Sequence, residues 1–249
     1  MSKELFWKVV DEAVELGVRH IVPFINGEPF ADPRMPEFIE GIAKLYPGIN
    51  VILYTNASLL TEEKARRVLA AGNVGAFNVS IQGGTREVME RNMGLNWDTV
   101  IDNVDRLIQL NEEYRTGKRI RVNMCVFSKT ESTVHEFLTR WEARADVCLG
   151  AFSNFGGMVH DEAEKRTKEF KRKQCARALN HLYVFWNGDV GQCCFDLLGS
   201  VVHGNMAGRK LVDVLNDESY RKMRRAHLEL DVPAMPKICH ECNACSFGG

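Results

Sequence analysis

The chain has 249 residues, of which 45% are hydrophobic and 26% are charged, and its formal net charge is −1. That length can bury one large core, or the core of a main domain with a small appendage. A charge so near zero argues against a chain-wide polyanion binder, so we expect no nucleic-acid partner. No run of about 18 apolar residues could span a bilayer, and the amino-terminal segment does not resemble a signal peptide, so we expect a cytoplasmic protein without a membrane partner.

Apolar spacing predicts that helices and strands alternate over the first part of the chain. We expect helices at 3–16, 32–46, 60–72, 96–114 and 133–144. We expect strands at 19–25, 49–55, 76–82, 119–127 and 145–152. Such alternation indicates parallel strands with helical crossovers, and the nearly continuous apolar runs indicate strands buried on both faces. A partial or complete (β/α) barrel and an open doubly wound sheet both fit.

Polar residues and glycines follow three of these strands, where the loops of parallel-sheet proteins carry their functional sites. The segments are NGEPFADP at 26–33, TNASLL at 55–60 and SIQGG at 80–84. Glu28 is placed to accept hydrogen bonds from a ligand ammonium, and the glycines permit a ligand to approach the backbone closely. The alternative is that these are ordinary strand-to-helix turns, because Gly, Asn and Pro are turn residues in any case.

The composition changes in the last third of the chain. Residues 160–174 are dense in charge and predict a solvated linker or exposed helix, with a basic contact for a peptide or anionic substrate as the alternative. Asn187-Gly188 then predicts a hairpin between two short strands. We place Cys193 and Cys194 on the second strand, where successive side chains point to opposite faces. A turn and helical segments follow.

Eight cysteines in a reducing compartment predict metal ligands or buried thiols rather than disulfides. Cys125 and Cys148 lie in strand-like runs, so we expect them to be small buried hydrophobes. The other six lie in the last 75 residues, namely Cys175, Cys193, Cys194, Cys239, Cys242 and Cys245. Four thiolates suit zinc or an iron–sulfur cluster, and the lack of paired C-x-x-C motifs disfavours zinc without excluding it. A reactive dithiol has less support, since no thioredoxin-like pattern is present.

Taken together, these motifs resemble the radical S-adenosylmethionine enzymes with a carboxy-terminal SPASM or twitch extension. NGEP at 26–29 is similar to the family's Gly-Gly-Glu-Pro motif, which contacts the methionyl ammonium of the cosubstrate, and YTNASLL at 54–60 is similar to its Thr-Asn-Gly segment. Within FNVSIQGG at 77–84, Ser80 matches a polar position near the cosubstrate ribose. The resemblance implies that S-adenosylmethionine contacts Asn26, Gly27, Glu28, Pro29, Thr55, Asn56, Ser80 and Gln82.

The same resemblance implies the fold and the cluster. The expected fold class is α/β, a partial (β/α)6 TIM-like barrel at 1–155 without its first strand. A linker at 156–174 would lead to a SPASM/twitch domain with a β-hairpin and helix at 175–249. Its pattern, ending in C-x-x-C, implies an auxiliary four-iron four-sulfur cluster on Cys175, Cys193, Cys239 and Cys242, with Cys245 as an alternative or additional ligand.

One departure from the family bears on activity. The family's C-x3-C-x2-C loop, which binds the cluster that cleaves S-adenosylmethionine, is missing from these 249 residues. Without a first strand, the run at 19–25 would be an undefended apolar edge, so we expect an incomplete version of a longer enzyme. The alternative is a non-catalytic iron–sulfur or zinc homologue that acts in binding or electron transfer.

The family's partners give the remaining expectations. The resemblance implies a peptide or small-molecule substrate, with peptide modification preferred, and an electron donor such as flavodoxin or ferredoxin. The sequence identifies no catalytic residue.

Overall fold

The computed structural model describes residues 1–162 and 172–244. Most of the charged segment at 160–174 and Cys245 lie outside these residues. The chain forms two units: the sheet unit, residues 19–151, and the cysteine unit, residues 1–18 together with 152–249. The domain boundaries drawn from the family resemblance stay a prediction.

Five parallel strands form the sheet unit, side by side in chain order. They are β1 (His20–Ile21), β2 (Asn50–Thr55), β3 (Val74–Ser80), β4 (Arg119–Val126) and β5 (Asp146–Ala151). The helices that connect them are α2 (Met35–Leu45), α3 (Glu62–Ala70), α4 (Arg86–Met93), α5 (Trp97–Glu113) and α6 (Val134–Trp141). The predicted fold class, an α/β partial (β/α)6 TIM-like barrel without its first strand, is confirmed.

The first strand is shorter than predicted. Only His20 and Ile21 pair with β2, because Pro23 follows closely and has no backbone N–H to contribute to a ladder. Helix α4 was not predicted, although its signals are present in the sequence. Thr85 caps this helix, and Gly94 ends it in the left-handed conformation with φ +65°.

The two faces of the sheet differ in chemistry. Side chains on one face are fully buried and apolar, namely Val51, Leu53, Phe77, Val79, Val122 and Met124. The alternate positions form what we call the polar face, with Tyr54, Asn78, Ser80, Arg121, Asn123, Cys125 and Cys148. The expectation of apolar burial on both faces was therefore wrong. One apolar and one polar face is the pattern of a barrel wall rather than of a doubly wound sheet.

The cysteine unit combines short helices with a small antiparallel sheet. Its helices are α1 (Lys3–Glu15), α7 (Ala176–Asn180), α8 (Leu211–Leu215), α9 (Glu218–Glu229) and α10 (Lys237–His240). Its strands, in sheet order, are β6 (Tyr183–Val184), β7 (Asp189–Gly191) and β8 (Val202–Asn205). The hairpin at Asn187-Gly188 is confirmed, and Gly188 adopts φ +90° there. The placement of Cys193 and Cys194 on its second strand was wrong, because β7 ends at Gly191.

Helix α1 packs within the cysteine unit, far from its neighbours in sequence. The Leu211 backbone N–H at the start of α8 donates to Glu12 Oε2 over 2.5 Å, and Lys8 Nζ donates to the Arg209 carbonyl over 2.8 Å. Leu5 and Val9 of α1 pack against a buried apolar cluster that includes Val190, Leu211, Val214, Tyr220 and Met223. Residues from both ends of the chain therefore share one core.

Candidate functional site

Glu28 joins the loops that follow the first two strands of the sheet. Its Oε1 accepts hydrogen bonds from the Phe30 backbone N–H at 3.2 Å and the Thr55 hydroxyl at 2.7 Å. Its Oε2 accepts the Asn56 backbone N–H at 2.7 Å. A carboxylate has about four acceptor positions, so three internal bonds leave roughly one for a ligand donor. Glu28 is half-buried, while Asn26 and Gly27 are exposed and Pro29 is buried.

The turn after β2 is held by its own polar side chains. Thr55 Oγ1 accepts from the Ala57 backbone N–H at 2.9 Å, and Asn56 Oδ1 accepts from the Ser58 backbone N–H at 2.9 Å. Ala57 is fully buried in a left-handed conformation with φ +61°. Its carbonyl accepts from Asn103 Nδ2 at 2.8 Å, which fixes this unfavourable backbone in place.

The third predicted loop has a partly structural role. Gln82 Oε1 accepts from the Cys125 backbone N–H at 2.8 Å, so this side chain ties the end of β3 to the end of β4. A Cβ added at Gly83 or Gly84 would collide with backbone atoms of Met89 or Thr133. These two glycines therefore allow close packing within the protein, where the sequence analysis expected space for a ligand. Ser80 stays half-buried on the polar face.

The polar face contains candidate ligand contacts that sequence reasoning missed. Strand register aligns Tyr54, Asn78 and Arg121 in one row. It aligns Ser80, Asn123 and Cys148 in a second. The sequence does contain a signal for this face, because a polar residue recurs at every second position within runs that we interpreted as apolar. Cys125 and Cys148 are half-buried at such positions, so the prediction of buried cysteines was wrong.

Four of the predicted cluster ligands lie near one another in the cysteine unit. Cys175 and Cys239 are buried, while Cys193 and Cys242 are half-buried. Burial raises the pKa of the Cys239 thiol to about 12, and the thiols of Cys193, Cys242 and Cys175 add to the effect. The mutual electrostatic influence shows that these thiols, which are up to 67 residues apart in sequence, are neighbours in space.

Cys193 and Cys194 have different surroundings. Burial raises the pKa of Cys193 to about 12, while the nearby backbone N–H groups of Phe195 and Asp196 oppose the rise. The sulfur of Cys194 instead lies beside Tyr183, whose own pKa is raised, chiefly by burial and then by Cys194. Nearby backbone N–H groups favour a thiolate, which is the form in which a cysteine binds a metal.

Comparison with known families is decisive for the larger part of the chain. Residues 1–139 match the description "Radical SAM superfamily". The chain belongs to the radical SAM superfamily. Residues 175–243 match SPASM, described as an iron–sulfur cluster-binding domain. A radical SAM protein with this domain has S-adenosylmethionine and a four-iron four-sulfur cluster as cofactors, as predicted.

Solved radical SAM structures share the fold at low sequence identity. BtrN in complex with AdoMet and 2-DOIA is 16% identical with a TM-score of 0.65, and the alignment covers 98% of this chain and 80% of that one. The enzyme anSMEcpe with bound AdoMet and a peptide is 14% identical with a TM-score of 0.64, covering 97% and 80%. No curated protein sequence matches the chain significantly.

The thiols of this radical SAM protein fit a four-iron cluster. Within residues 1–162 and 172–244, no three His, Cys, Asp or Glu side chains are close enough to hold a single metal ion. The four thiolates of a cubane cluster each bind a different iron, so they need not converge on one point. Iron would also stabilise the thiolate forms that burial and mutual repulsion disfavour here.

The carboxy-terminal C-x-x-C segment is held by a pair of buried asparagines. The Asn243 backbone N–H donates to Asn154 Oδ1 at 3.2 Å, and the Asn154 backbone N–H donates to Asn243 Oδ1 at 3.0 Å. Asn154 Nδ2 also donates to the Glu241 carbonyl at 2.7 Å. Gly156 lies against Ile238 so closely that any Cβ would collide with it. These contacts fix the segment on which Cys239 and Cys242 lie.

The helices of the described residues include none that is both long and apolar enough to cross a membrane.

Proposed function

We propose that the protein is a radical SAM enzyme that modifies a peptide or protein substrate, with one auxiliary four-iron four-sulfur cluster in the cysteine unit. The ligands proposed are Cys175, Cys193, Cys239 and Cys242. The observation that carries this assignment is that four thiols lie together around Cys239. Burial and the neighbouring thiols raise the pKa of Cys239 to about 12. Grouped cysteines that become thiolates on binding are the ligands that iron–sulfur and zinc centres use.

The cosubstrate site proposed lies at the carboxyl ends of the strands. Glu28 would accept a hydrogen bond from the methionyl ammonium with its remaining acceptor position, and its three internal bonds orient it for this. Ser80 would contact the ribose from the polar face. S-adenosylmethionine would supply a radical when its sulfonium is reductively cleaved by an electron from the family's C-x3-C-x2-C cluster, whose loop these 249 residues lack, while the residues named here would supply binding and orientation.

The polar face supports a substrate with amide or carboxylate groups. The half-buried Arg121 guanidinium has no hydrogen-bond or ion-pair partner in the part of the chain that the structure describes. Asn78 lies opposite it on β3, and Asn123 lies two residues further along β4 on the same face. Amide and guanidinium side chains match the donors and acceptors of a peptide backbone and its carboxylates. This favours a peptide over an apolar substrate.

Metal analysis tests the cluster. The protein would be purified and reconstituted without oxygen, and iron, sulfide and zinc would be measured per chain. We expect about four irons with sulfide, and loss of most iron in Cys239→Ala/Cys242→Ala. The matched control Cys125→Ala/Cys148→Ala, in the sheet unit, should keep its iron. One zinc without sulfide would overturn the assignment.

Affinity selection tests the substrate class. Reconstituted protein with S-adenosylmethionine would be offered a random peptide library and a set of sugars and aminocyclitols. We expect peptides to be retained, with weaker retention by Arg121→Ala. Retention of the small molecules alone would replace peptide modification with small-molecule chemistry. A cluster without any S-adenosylmethionine binding would favour the non-catalytic alternative.

A further inference from the structure

A chain of buried polar side chains ends at the proposed ligand Cys239. Gln192 is only 2% exposed, and its Nε2 lies 3.7 Å from Cys239 Sγ. The same Nε2 lies 3.3 Å from His227 Nε2, while Gln192 Oε1 lies 3.3 Å from His203 Nε2. His203 Nδ1 lies 3.2 Å from the Ser219 hydroxyl. Hydrogen-bond distances therefore link the Cys239 thiol, through Gln192, to His203, His227 and Ser219.

The distances allow one consistent arrangement of protons. A cluster-bound thiolate only accepts hydrogen bonds, so the amide nitrogen of Gln192 must face Cys239. Gln192 Oε1 then accepts from His203 Nε2–H, and His203 Nδ1 accepts from the Ser219 hydroxyl. The second amide hydrogen of Gln192 points to His227 Nε2, which must carry a lone pair, so the His227 proton lies on Nδ1.

Burial favours the neutral form of both histidines, which this arrangement requires. Burial lowers the pKa of His203, against a smaller opposing effect of Asp217. Burial also lowers the pKa of His227, and the charge of Arg172 lowers it further. Neutral imidazoles can each accept one hydrogen bond, as the network demands. The orientation of the Gln192 amide is thus fixed at both of its polar atoms.

The surroundings of Cys239 make this hydrogen bond effective. Cys239 packs with Ala226 and Met235 in a buried apolar cluster, with Val232 and Ile238 alongside. In such a low-dielectric site a single N–H donor acts more strongly on a nearby charge than it would in water. Reduction of an iron–sulfur cluster adds negative charge to its sulfurs, so donors at sulfur favour the reduced state.

We propose that Gln192 is a positioning residue that donates an N–H···S hydrogen bond to the Cys239 thiolate and thereby raises the reduction potential of the auxiliary cluster. His203 and His227 act through Gln192 by fixing its orientation. This inference rests on the proposed function, because it takes Cys239 as a cluster ligand.

A redox titration of the reconstituted protein, followed by electron paramagnetic resonance, tests the proposal. Gln192→Met keeps the volume but removes the donor. We expect it to keep about four irons and to make reduction roughly tenfold less favourable, which is about 59 mV for one electron. The control is Gln174→Met, because Gln174 donates instead to the Leu228 carbonyl at 2.6 Å. Its potential should not change.

A second variant keeps the test decisive if Gln192→Met does not load iron. His203→Phe leaves Gln192 in place, removes the donor to Oε1 and should shift the potential in the same direction by a smaller amount. Normal iron loading with unchanged potentials in the loaded variants would overturn the role of Gln192 and leave the cluster assignment intact. A parent protein that holds no iron would overturn both.

Discussion

Replacing Asn154 by alanine should release the segment that carries Cys239 and Cys242. Asn154 is 1% exposed, and its side chain forms one bond to the Asn243 backbone N–H and one to the Glu241 carbonyl. Alanine would remove the hydrogen bond that Asn154 accepts from the buried Asn243 N–H, while the carbonyl of the exposed Glu241 can turn to water. A buried group that loses its hydrogen bond costs about 1–3 kcal/mol, so Asn154→Ala should lower the free energy of unfolding of the cysteine unit by about 1–3 kcal/mol.

Two measurements check this expectation. Urea unfolding gives the change in free energy, and hydrogen exchange with mass spectrometry shows whether residues 238–243 open locally. Asn216→Ala is the control, because the exposed Asn216 makes one bond to the Val212 carbonyl and should matter by less than about 0.5 kcal/mol. If Asn154→Ala were as mild as Asn216→Ala and exchange stayed slow, the asparagine pair would not hold this segment.

Two further predictions concern local energetics. Ala57→Gly should change stability by less than about 0.5 kcal/mol, because relief of the left-handed backbone offsets the lost methyl burial and the added chain entropy. The control is Ala65→Gly, which is equally buried but lies inside α3 and should lower the free energy of unfolding by about 2 kcal/mol. Both variants would be compared by thermal unfolding, and equal losses of stability would contradict the strain at Ala57. Burial raises the pKa of Glu12, but the Leu211 N–H and Lys8 lower it more, to below its usual 4.5. The parent protein should therefore be more stable than Glu12→Gln at neutral pH, and this difference in the free energy of unfolding should vanish as the pH falls below 4.5. A difference that does not depend on pH would refute this.

Local signals were sufficient for most of the fold. Thr61 caps α3 and Asn96 caps α5, and both helices lie within the ranges that their apolar spacing predicts. Asn187-Gly188 produces the expected hairpin because its turn geometry depends on two adjacent residues. Patterns confined to a few neighbouring positions can be interpreted without knowing the rest of the structure.

Contacts between distant residues could not be predicted in the same way. The bond from Gln192 to Cys239 joins residues 47 apart, and nothing near Gln192 in the sequence distinguishes it from a surface glutamine. The polar face was missed for a related reason. Asn78 and Arg121 are single polar residues in apolar strands, and only the strand register shows that they lie side by side.

The long separation between α1 and α8 has a consequence for synthesis in the cell. Glu12 meets its partner 199 residues later, whereas residues 19–151 find their partners within their own unit. At about 5–20 residues per second, a ribosome needs roughly 10–40 s to make the intervening chain. During that interval the sheet unit can fold as it emerges, while Leu5 and Val9 have no core to enter. The apolar stripe of α1 therefore stays exposed on the nascent chain until the α8 region is made, and it is a natural target for a chaperone during that time.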